Sequence, residues 1–136
     1  MALKKLKLLV GLLILSQPAL AQAKCLGTVK EVKANDVKAR WQETTESDGK
    51  PLTISIADGA NGLVYSAKKG GVLWLTGNVS VCLSGGAKEI ILADTQATDS
   101  VPALARLGFP ATQSAHIVDG QIKLAAGGWD GTFIGQ

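Results

Sequence analysis

The sequence predicts an all-β fold, a small antiparallel meander of about 8–10 strands that closes as a barrel or a sandwich and carries one short helix near residues 100–107. Three observations lead to this prediction. Short apolar runs recur along the chain, turns containing glycine separate them, and several runs alternate apolar with polar residues. In the run Leu52-Thr53-Ile54-Ser55-Ile56, the aliphatic side chains share one face of a strand and the hydroxyls share the other.

The N-terminal segment, residues 1–23, has the pattern of a secretory signal peptide. Lys4, Lys5 and Lys7 form its positive segment, and the apolar run 8–15 that follows is too short to span a bilayer, which needs about 20 residues. Small residues at positions 21 and 23 predict cleavage after Ala23. We therefore expect a single β domain over 24–136 in a periplasmic or secreted bacterial protein, with no membrane span in the mature chain.

Removal of this segment would make the chain electrically neutral. The full sequence contains 14 Lys and Arg against 11 Asp and Glu, and loss of the three lysines leaves 11 of each sign. A neutral domain gives no compositional reason to expect nucleic acid as a partner. At 136 residues and 46% hydrophobic composition, the chain has room for one domain with a buried core.

Cys25 and Cys82 are the only cysteines, and in an exported chain this even number predicts a disulfide. A bond with a sequence separation of 57 residues stabilises the fold by about 4 kcal/mol in the chain-entropy model. We expect a structural rather than a redox-active disulfide, because the pair lacks C-x-x-C spacing. Lipid attachment at Cys25 is disfavoured, since Lys24 stands where a lipidation signal requires a small residue.

The runs that fit strands are 26–33, 37–43, 52–57, 63–67, 72–76, 79–83, 88–93, 114–118, 121–125 and 132–134. Two dipeptides, Gly77-Asn78 and Asp119-Gly120, each separate two of these runs and are typical of tight hairpin turns. The connections are short, so consecutive strands are expected to be neighbours in the sheet. The polar stretch 43–51 is expected to be an exposed loop.

One segment has helical character. Asp99 or Ser100 fits the N-cap, Pro102 suits the first turn, and Gly108 prevents the helix from continuing. An apolar stripe recurs at helical spacing, at Val101, Leu104 and Leu107. We expect this helix to pack on the sheet, either as a gate over a cavity or as a cap on an open barrel end or sheet edge.

His116 is the only histidine, and the sequence does not support catalysis through it. Ser114 shares the same face of the predicted strand, Asp119 falls in a turn, and no G-x-S-x-G motif presents a nucleophile. One histidine and two paired cysteines do not make a zinc site, and the carboxylates lack calcium-loop spacing. We expect no enzyme activity, no metal and no cofactor, and a hydrolase is the weakest of three hypotheses.

The first hypothesis is a non-catalytic β-barrel of the bacterial envelope that binds a small apolar ligand or lipid. Barrels of about eight strands enclose either side chains or one small ligand. Trp74 and Tyr65 lie on adjacent predicted strands and are expected to line one interior. Trp41 is expected near a barrel end, and Leu73 and Ile91 would add apolar wall.

The second hypothesis is a periplasmic interaction or inhibitor protein that contacts another envelope protein through a rigid surface loop. The candidate loops are 43–51 and 58–62. An interior filled by side chains would favour this hypothesis, and an empty apolar interior would favour the first.

Overall fold

A computed structural model describes residues 24–44, 49–125 and 127–136. The predicted signal peptide, with its cleavage after Ala23, lies outside the described residues, as does the middle of the predicted loop 43–51. Within the described part, the prediction of an antiparallel all-β domain is confirmed.

The described strands are β1 (Lys24–Leu26), β2 (Arg40–Glu43), β3 (Leu52–Gly59), β4 (Gly62–Lys69), β5 (Val72–Ser84), β6 (Ala87–Ala97), β7 (Gln113–Ile117), β8 (Gln121–Leu124) and β9 (Gly131–Gly135). Two short helices, α1 (Val29–Ala34) and α2 (Ala103–Arg106), and a 3₁₀ turn (Gly127–Trp129) complete the described secondary structure. The strands dominate, as the alternating apolar runs predict.

Strands β2 to β9 form a nearly closed barrel of eight strands in the described part of the chain. Each strand from β2 to β6 pairs antiparallel with the next, β8 pairs with β9, and β9 pairs with β2, so β7 and β8 are the two ends of this order. The turn at Asp119-Gly120 joins β7 to β8, and an isolated bridge links Val118 to Gln121. The predicted meander and the predicted hairpin at Asp119-Gly120 are therefore confirmed, and the structure selects the barrel over the sandwich.

The two ends of the barrel differ. Because the strands run alternately up and down, the turns at 60–61, 85–86 and 119–120 lie at one end, which we call the mouth. The opposite end carries the connections 70–71, 98–112 and 125–130, and we call it the plug end because the fully buried Trp129 sits there. Helix α1 leads into β2 at the mouth.

Side chains that point inward fill the barrel. Alternate residues of each strand are buried, so β3 buries Leu52, Ile54 and Ile56 as its sequence pattern predicts. The largest inner side chains without exposed surface come from β2, β3, β5, β6 and β9, and they are Trp41, Ile54, Leu75, Ile90 and Phe133. The interior is thus a packed core, as expected for a barrel of this strand number.

The prediction of a strand over 26–33 is wrong, because α1 occupies most of it. The Thr28 side chain accepts a hydrogen bond from the Glu31 backbone N–H, and the Glu31 carboxylate accepts one from the Thr28 N–H in return. This capping box satisfies the first turn of the helix, and the buried Val32 anchors it to the core. The spacing Thr28-x-x-Glu31 is the sequence signal for this helix, and it outweighs the strand preference of the β-branched residues around it.

The predicted hairpin at Gly77-Asn78 is also wrong, because β5 runs without interruption through it. The pairing register between β5 and β6 shifts there, and Asp94 of β6 adopts a left-handed backbone with φ of 52°. This is a β-bulge, in which an extra residue bends one strand. Gly77 does not form a turn; its missing side chain leaves the space that the Tyr65 ring occupies.

The predicted helix near residues 100–107 is present as the shorter α2. Its N-cap residue is Pro102, which makes no side-chain cap, so the predicted capping by Asp99 or Ser100 is wrong. Arg106 holds the segment instead, since its Nε donates to the Val101 carbonyl at 3.0 Å. Val101 is buried, whereas Leu104 is 86% exposed and Leu107 is 85% exposed, so the predicted packing of the whole stripe on the sheet is wrong.

Candidate functional site

The predicted disulfide between Cys25 and Cys82 is present, with an S–S distance of 2.02 Å. The two residues face each other directly across β1 and β5, with their Cα atoms 3.9 Å apart. The bond therefore ties β1 to the part of β5 nearest the mouth. A separate hydrogen bond holds the start of α1, since the Val29 N–H donates to the Asp58 carboxylate at 2.7 Å.

Tyr65, one of the predicted ligand residues, is a buried core residue. Its hydroxyl shares a hydrogen bond with the Thr95 hydroxyl at the bulge of β6, and its ring packs edge-on against Trp129 at 6.2 Å. Burial raises the pKa of Tyr65, and the hydrogen bond with Thr95 acts in the opposite direction. The phenol ring thus packs within the core, and Tyr65 also lines a cleft on the outer wall of the barrel, over the β6 bulge.

Trp74 and Leu73 lie at the plug end, where the β4–β5 pairing is irregular. Trp74 is half-buried and packs edge-on against Phe109 at 6.4 Å, and Phe109 packs in turn against Trp129 at 5.4 Å. The Lys69 ammonium lies 5.6 Å from the centre of the Trp74 ring. Trp74 and Tyr65 are therefore linked through aromatic packing on Trp129 and do not share an open pocket.

Ile91 points away from the barrel interior. Its neighbours Ile90 and Leu92 are buried, and Ile91 itself is half-buried on the outer face. It pairs with Ser80 on one side and Ser114 on the other. Successive side chains of a strand point to opposite faces, so Ile90 and Leu92 point into the barrel and Ile91 points outward.

Trp41 lies at the mouth, where the structure forms a cleft. The cleft has a volume of about 520 Å³ and is open to solvent. Its lining comes from the segment after α1 and from the β5–β6 and β7–β8 turns, and the residues are Asp36, Val37, Lys38, Trp41, Gly86, Ala87, Lys88, His116, Ile117, Val118, Asp119 and Gly120. Trp41 is fully buried beneath this surface, and its Nε1 has no hydrogen-bond partner among the described residues. The Trp129 Nε1 and the Gln113 Nε2 are likewise buried without a partner in the described part of the chain, so this state is not specific to the mouth.

Two lysines from distant parts of the sequence meet in this cleft. The Lys88 Nζ donates to the Asn35 carbonyl at 2.8 Å, which joins β6 to the end of α1. The stem of Lys38 packs on Gly135 of β9, where a Cβ atom would lie 2.6 Å from the Lys38 Cγ. Both ammonium-bearing side chains are therefore positioned by specific contacts at the mouth.

A second cleft, of about 480 Å³, lies on the outer wall over the β6 bulge. Half-buried polar side chains of neighbouring strands form a row across it, with Ser55 opposite Ser66 and Ser66 opposite Thr76. The Asn78 amide donates to the Asp94 carboxylate at 2.8 Å, so the two groups at its edge already satisfy each other. This cleft lacks a buried unpartnered donor, which the mouth has.

The described structure brings no catalytic group together around His116. Ser114 and His116 are both exposed on the outer face of β7, and in the described residues no hydrogen bond links them to each other or to Asp119. The cross-strand neighbour of His116 is Glu89, which itself faces Cys82. No group of three or more metal-ligating side chains occurs among the described residues.

Four apolar side chains are exposed on connections and strand ends of the plug end, and we call them the apolar tip: Val72, Leu73, Leu104 and Leu107. A hydrogen bond from the Thr98 hydroxyl to the Leu73 carbonyl, at 2.7 Å, holds the approach to α2 against the β4–β5 turn. Exposed apolar groups gathered in this way are typical of contact surfaces.

Comparisons of the chain with models of protein families, with curated proteins and with solved structures give no significant match. Among the described residues, no helix has the length and apolar character needed to cross a membrane. The fold and the clefts therefore carry the functional argument.

Proposed function

We propose that this protein is an exported, non-catalytic β-barrel of the bacterial envelope that binds a small, partly apolar ligand in the cleft at the mouth. The observation that carries the proposal is the open cleft above the buried Trp41, which both apolar and cationic side chains line. The packed interior argues against a ligand inside the barrel, so the binding site of the first hypothesis moves to the open end.

The size and lining of the cleft support this assignment. Small-molecule sites usually occupy about 300–1,000 Å³, and the mouths of β-barrels are among their preferred positions. The cleft combines the apolar side chains of Val37, Ile117 and Val118 with the amines of Lys38 and Lys88. Such a mixture suits a ligand with one apolar part and one polar part.

Export is supported by the pair of cysteines. A disulfide that closes a long loop persists in oxidising compartments such as the periplasm and is rare in the cytosol of bacteria. The signal-peptide pattern in residues 1–23 supports the same location.

A second candidate function is favoured by the apolar tip. The side chains of Leu104 and Leu107 are almost fully exposed in the described fold. Val72 and Leu73, at the start of β5 at the same end of the barrel, are 50% and 39% exposed. In this second candidate function the protein contacts another envelope protein through the plug end, which also carries the described ends of the predicted contact loop, residues 43–44 and 49–51.

Native mass spectrometry of protein purified from its own periplasm tests ligand binding at the mouth. We expect a bound small molecule in the wild type, loss of that mass in Val118→Asp at the mouth, and retention in the matched control Val72→Asp at the apolar tip. Both valines are exposed, so neither change should unfold the barrel. A wild-type mass without ligand, or a ligand that Val118→Asp retains, contradicts binding at the mouth.

A further inference from the structure

We infer that the ligand of the mouth carries an anionic head group, such as a phosphate or a carboxylate, an inference that rests on the proposed function. It starts from the distribution of charge around the mouth. Two smaller clefts adjoin the main one, since one shares Asp36, Val37 and Lys38 with it and the other shares His116, Val118 and Asp119. The linings of these three adjoining clefts together make up the surface of the mouth.

Cations outnumber carboxylates on this surface. The side chains of Lys33, Lys38, Arg40, Lys88 and Lys123 line it, against those of Asp36 and Asp119. The rest of the described chain has six Lys and Arg and seven Asp and Glu. The positive excess of the described chain is therefore concentrated around the mouth, although the domain as a whole is close to neutral.

These cations are not neutralised by neighbouring carboxylates. Among the described residues, none of the five forms a salt bridge, and Lys88 spends one of its three donors on the neutral Asn35 carbonyl. Concave surfaces lined by one sign of charge concentrate the electrostatic field and attract ligands of the opposite sign. A negative head group is therefore the complementary occupant.

Lys38 is the cation best placed to contact the head group, because it lines both the main cleft and the cleft beside it. Its stem rests on Gly135, where any larger residue would displace it. Apolar surface from Ile117 and Val118 lies in the same main cleft, so a tail attached to the head group has a place to pack. This arrangement assigns the head group to the side of Lys38 and the apolar part to the β7–β8 turn.

The test compares three amphiphiles of equal chain length, each below its micelle concentration: dodecyl phosphate, a neutral dodecyl maltoside and dodecyltrimethylammonium. Binding is followed by NMR through the indole N–H signal of Trp41. We expect dodecyl phosphate to bind about tenfold more tightly than the neutral amphiphile, the cationic one to bind weakest, and the preference to shrink as salt is raised.

Two variants locate the head group. Lys38→Gln should weaken dodecyl phosphate binding about two- to fivefold without changing maltoside binding. Gly135→Ala, which keeps the charge but moves the lysine, should have a similar effect. Lys68→Gln, on an exposed residue of β4 away from the mouth, is the control and should change neither.

The outcomes separate this inference from the proposed function. Equal binding of the phosphate and the maltoside, or no effect of Lys38→Gln, overturns the anionic head group and leaves binding at the mouth intact. Failure of all three amphiphiles to shift the Trp41 signal overturns both. Sedimentation with phosphatidylglycerol vesicles identifies the source of the head group, because capture indicates a lipid in a bilayer and binding of the monomer alone indicates a free ligand.

Discussion

Gly77 and Tyr65 face each other across β5 and β4, and a Cβ atom on Gly77 would lie 2.5 Å from the Cε1 of Tyr65 and 2.6 Å from the Ala93 carbonyl oxygen. The phenol occupies the space that a side chain on Gly77 would need. Its hydroxyl then reaches Thr95, which the bulge at Asp94 turns toward it. The glycine, the bulge and the phenol thus form one interdependent unit in the barrel wall.

Gly77→Ala should therefore lower the free energy of unfolding by about 1–3 kcal/mol, because the new methyl group collides with a packed ring and with backbone. Chemical denaturation measures the change. The matched control is Gly131→Ala, where the nearest atom to the added methyl is the Glu43 Oε1 at an ordinary 3.6 Å. Equal stability of the two variants would contradict the packing described here.

Tyr65 should make the fold sensitive to alkaline pH. Its folded pKa lies above the ordinary value of 10.0, because burial disfavours the phenolate. Below pH 10 the phenol is neutral in the folded and the unfolded chain, and its contribution to stability is fully present. Above pH 10 the unfolded chain releases the phenol proton first. The free energy of unfolding then falls by up to about 1.4 kcal/mol per pH unit. The fall continues until the folded phenol also ionises.

The sequence contains one tyrosine, so the ultraviolet absorbance of tyrosinate reports Tyr65 directly. We expect its folded titration to lie above that of the denatured chain. Tyr65→Phe should be less stable than wild type by about 1–3 kcal/mol near neutral pH, since the Thr95 hydroxyl loses its partner. The difference between the two proteins should narrow above pH 10, and a constant difference would argue against a buried phenol.

Removal of the disulfide should destabilise the protein strongly. Cys25→Ser/Cys82→Ser is expected to lose about 4 kcal/mol in the chain-entropy model, since the bond closes a loop with a separation of 57 residues. Denaturation with and without a reducing agent provides the comparison. Reduction should bring the wild type to the stability of the double variant and leave the variant unchanged; identical oxidised stabilities would show that the bond contributes nothing.

The buried and the exposed apolar residues of the segment around α2 should respond differently to substitution. Leu104→Ser and Leu107→Ser are expected to change stability by less than about 0.5 kcal/mol, because both side chains are exposed. Val101→Ala should cost about 2 kcal/mol, because Val101 is 1% exposed.

A photo-crosslinking residue at position 107 extends this test to the second candidate function. Capture of one defined envelope protein in cells, abolished by Leu104→Ser, would support contact through the apolar tip. A crosslinking residue at position 118 in the mouth provides the control. Absence of a defined product at position 107 would count against this candidate.

The sequence predicted an antiparallel meander closed as a barrel or a sandwich, because strand alternation is a local property. The run Leu52-Thr53-Ile54-Ser55-Ile56 already separates inner from outer side chains, and Asp119-Gly120 forms the turn that its residue types favour. The wrong hairpin at Gly77-Asn78 has a non-local cause. Nothing in that dipeptide shows that Tyr65, twelve positions earlier, would need the space of a missing side chain.

The same reasoning explains what could be predicted of the candidate site. Trp41 was expected near a barrel end, and it lies there. Lys38 and Lys88 were missed because they are fifty positions apart and meet only when β6 and the end of α1 come together. Tyr65 and Trp74 were placed on adjacent strands, but the structure links them only through Phe109 and Trp129, and Trp129 lies in a 3₁₀ turn late in the chain. The spacing of residues along the sequence does not predict such long-range contacts.

The order of strands in the barrel also constrains how the chain reaches its native state. Around the described ring, neighbours in space are neighbours in sequence, except where β9 meets β2. Hairpins between successive strands close short loops at small entropic cost, whereas the pairing of Trp41 with Gly135 must bring together nearly the full length of the domain. Folding should therefore proceed by sequential zippering of hairpins, and sealing of the seam between β2 and β9 should be its slowest step.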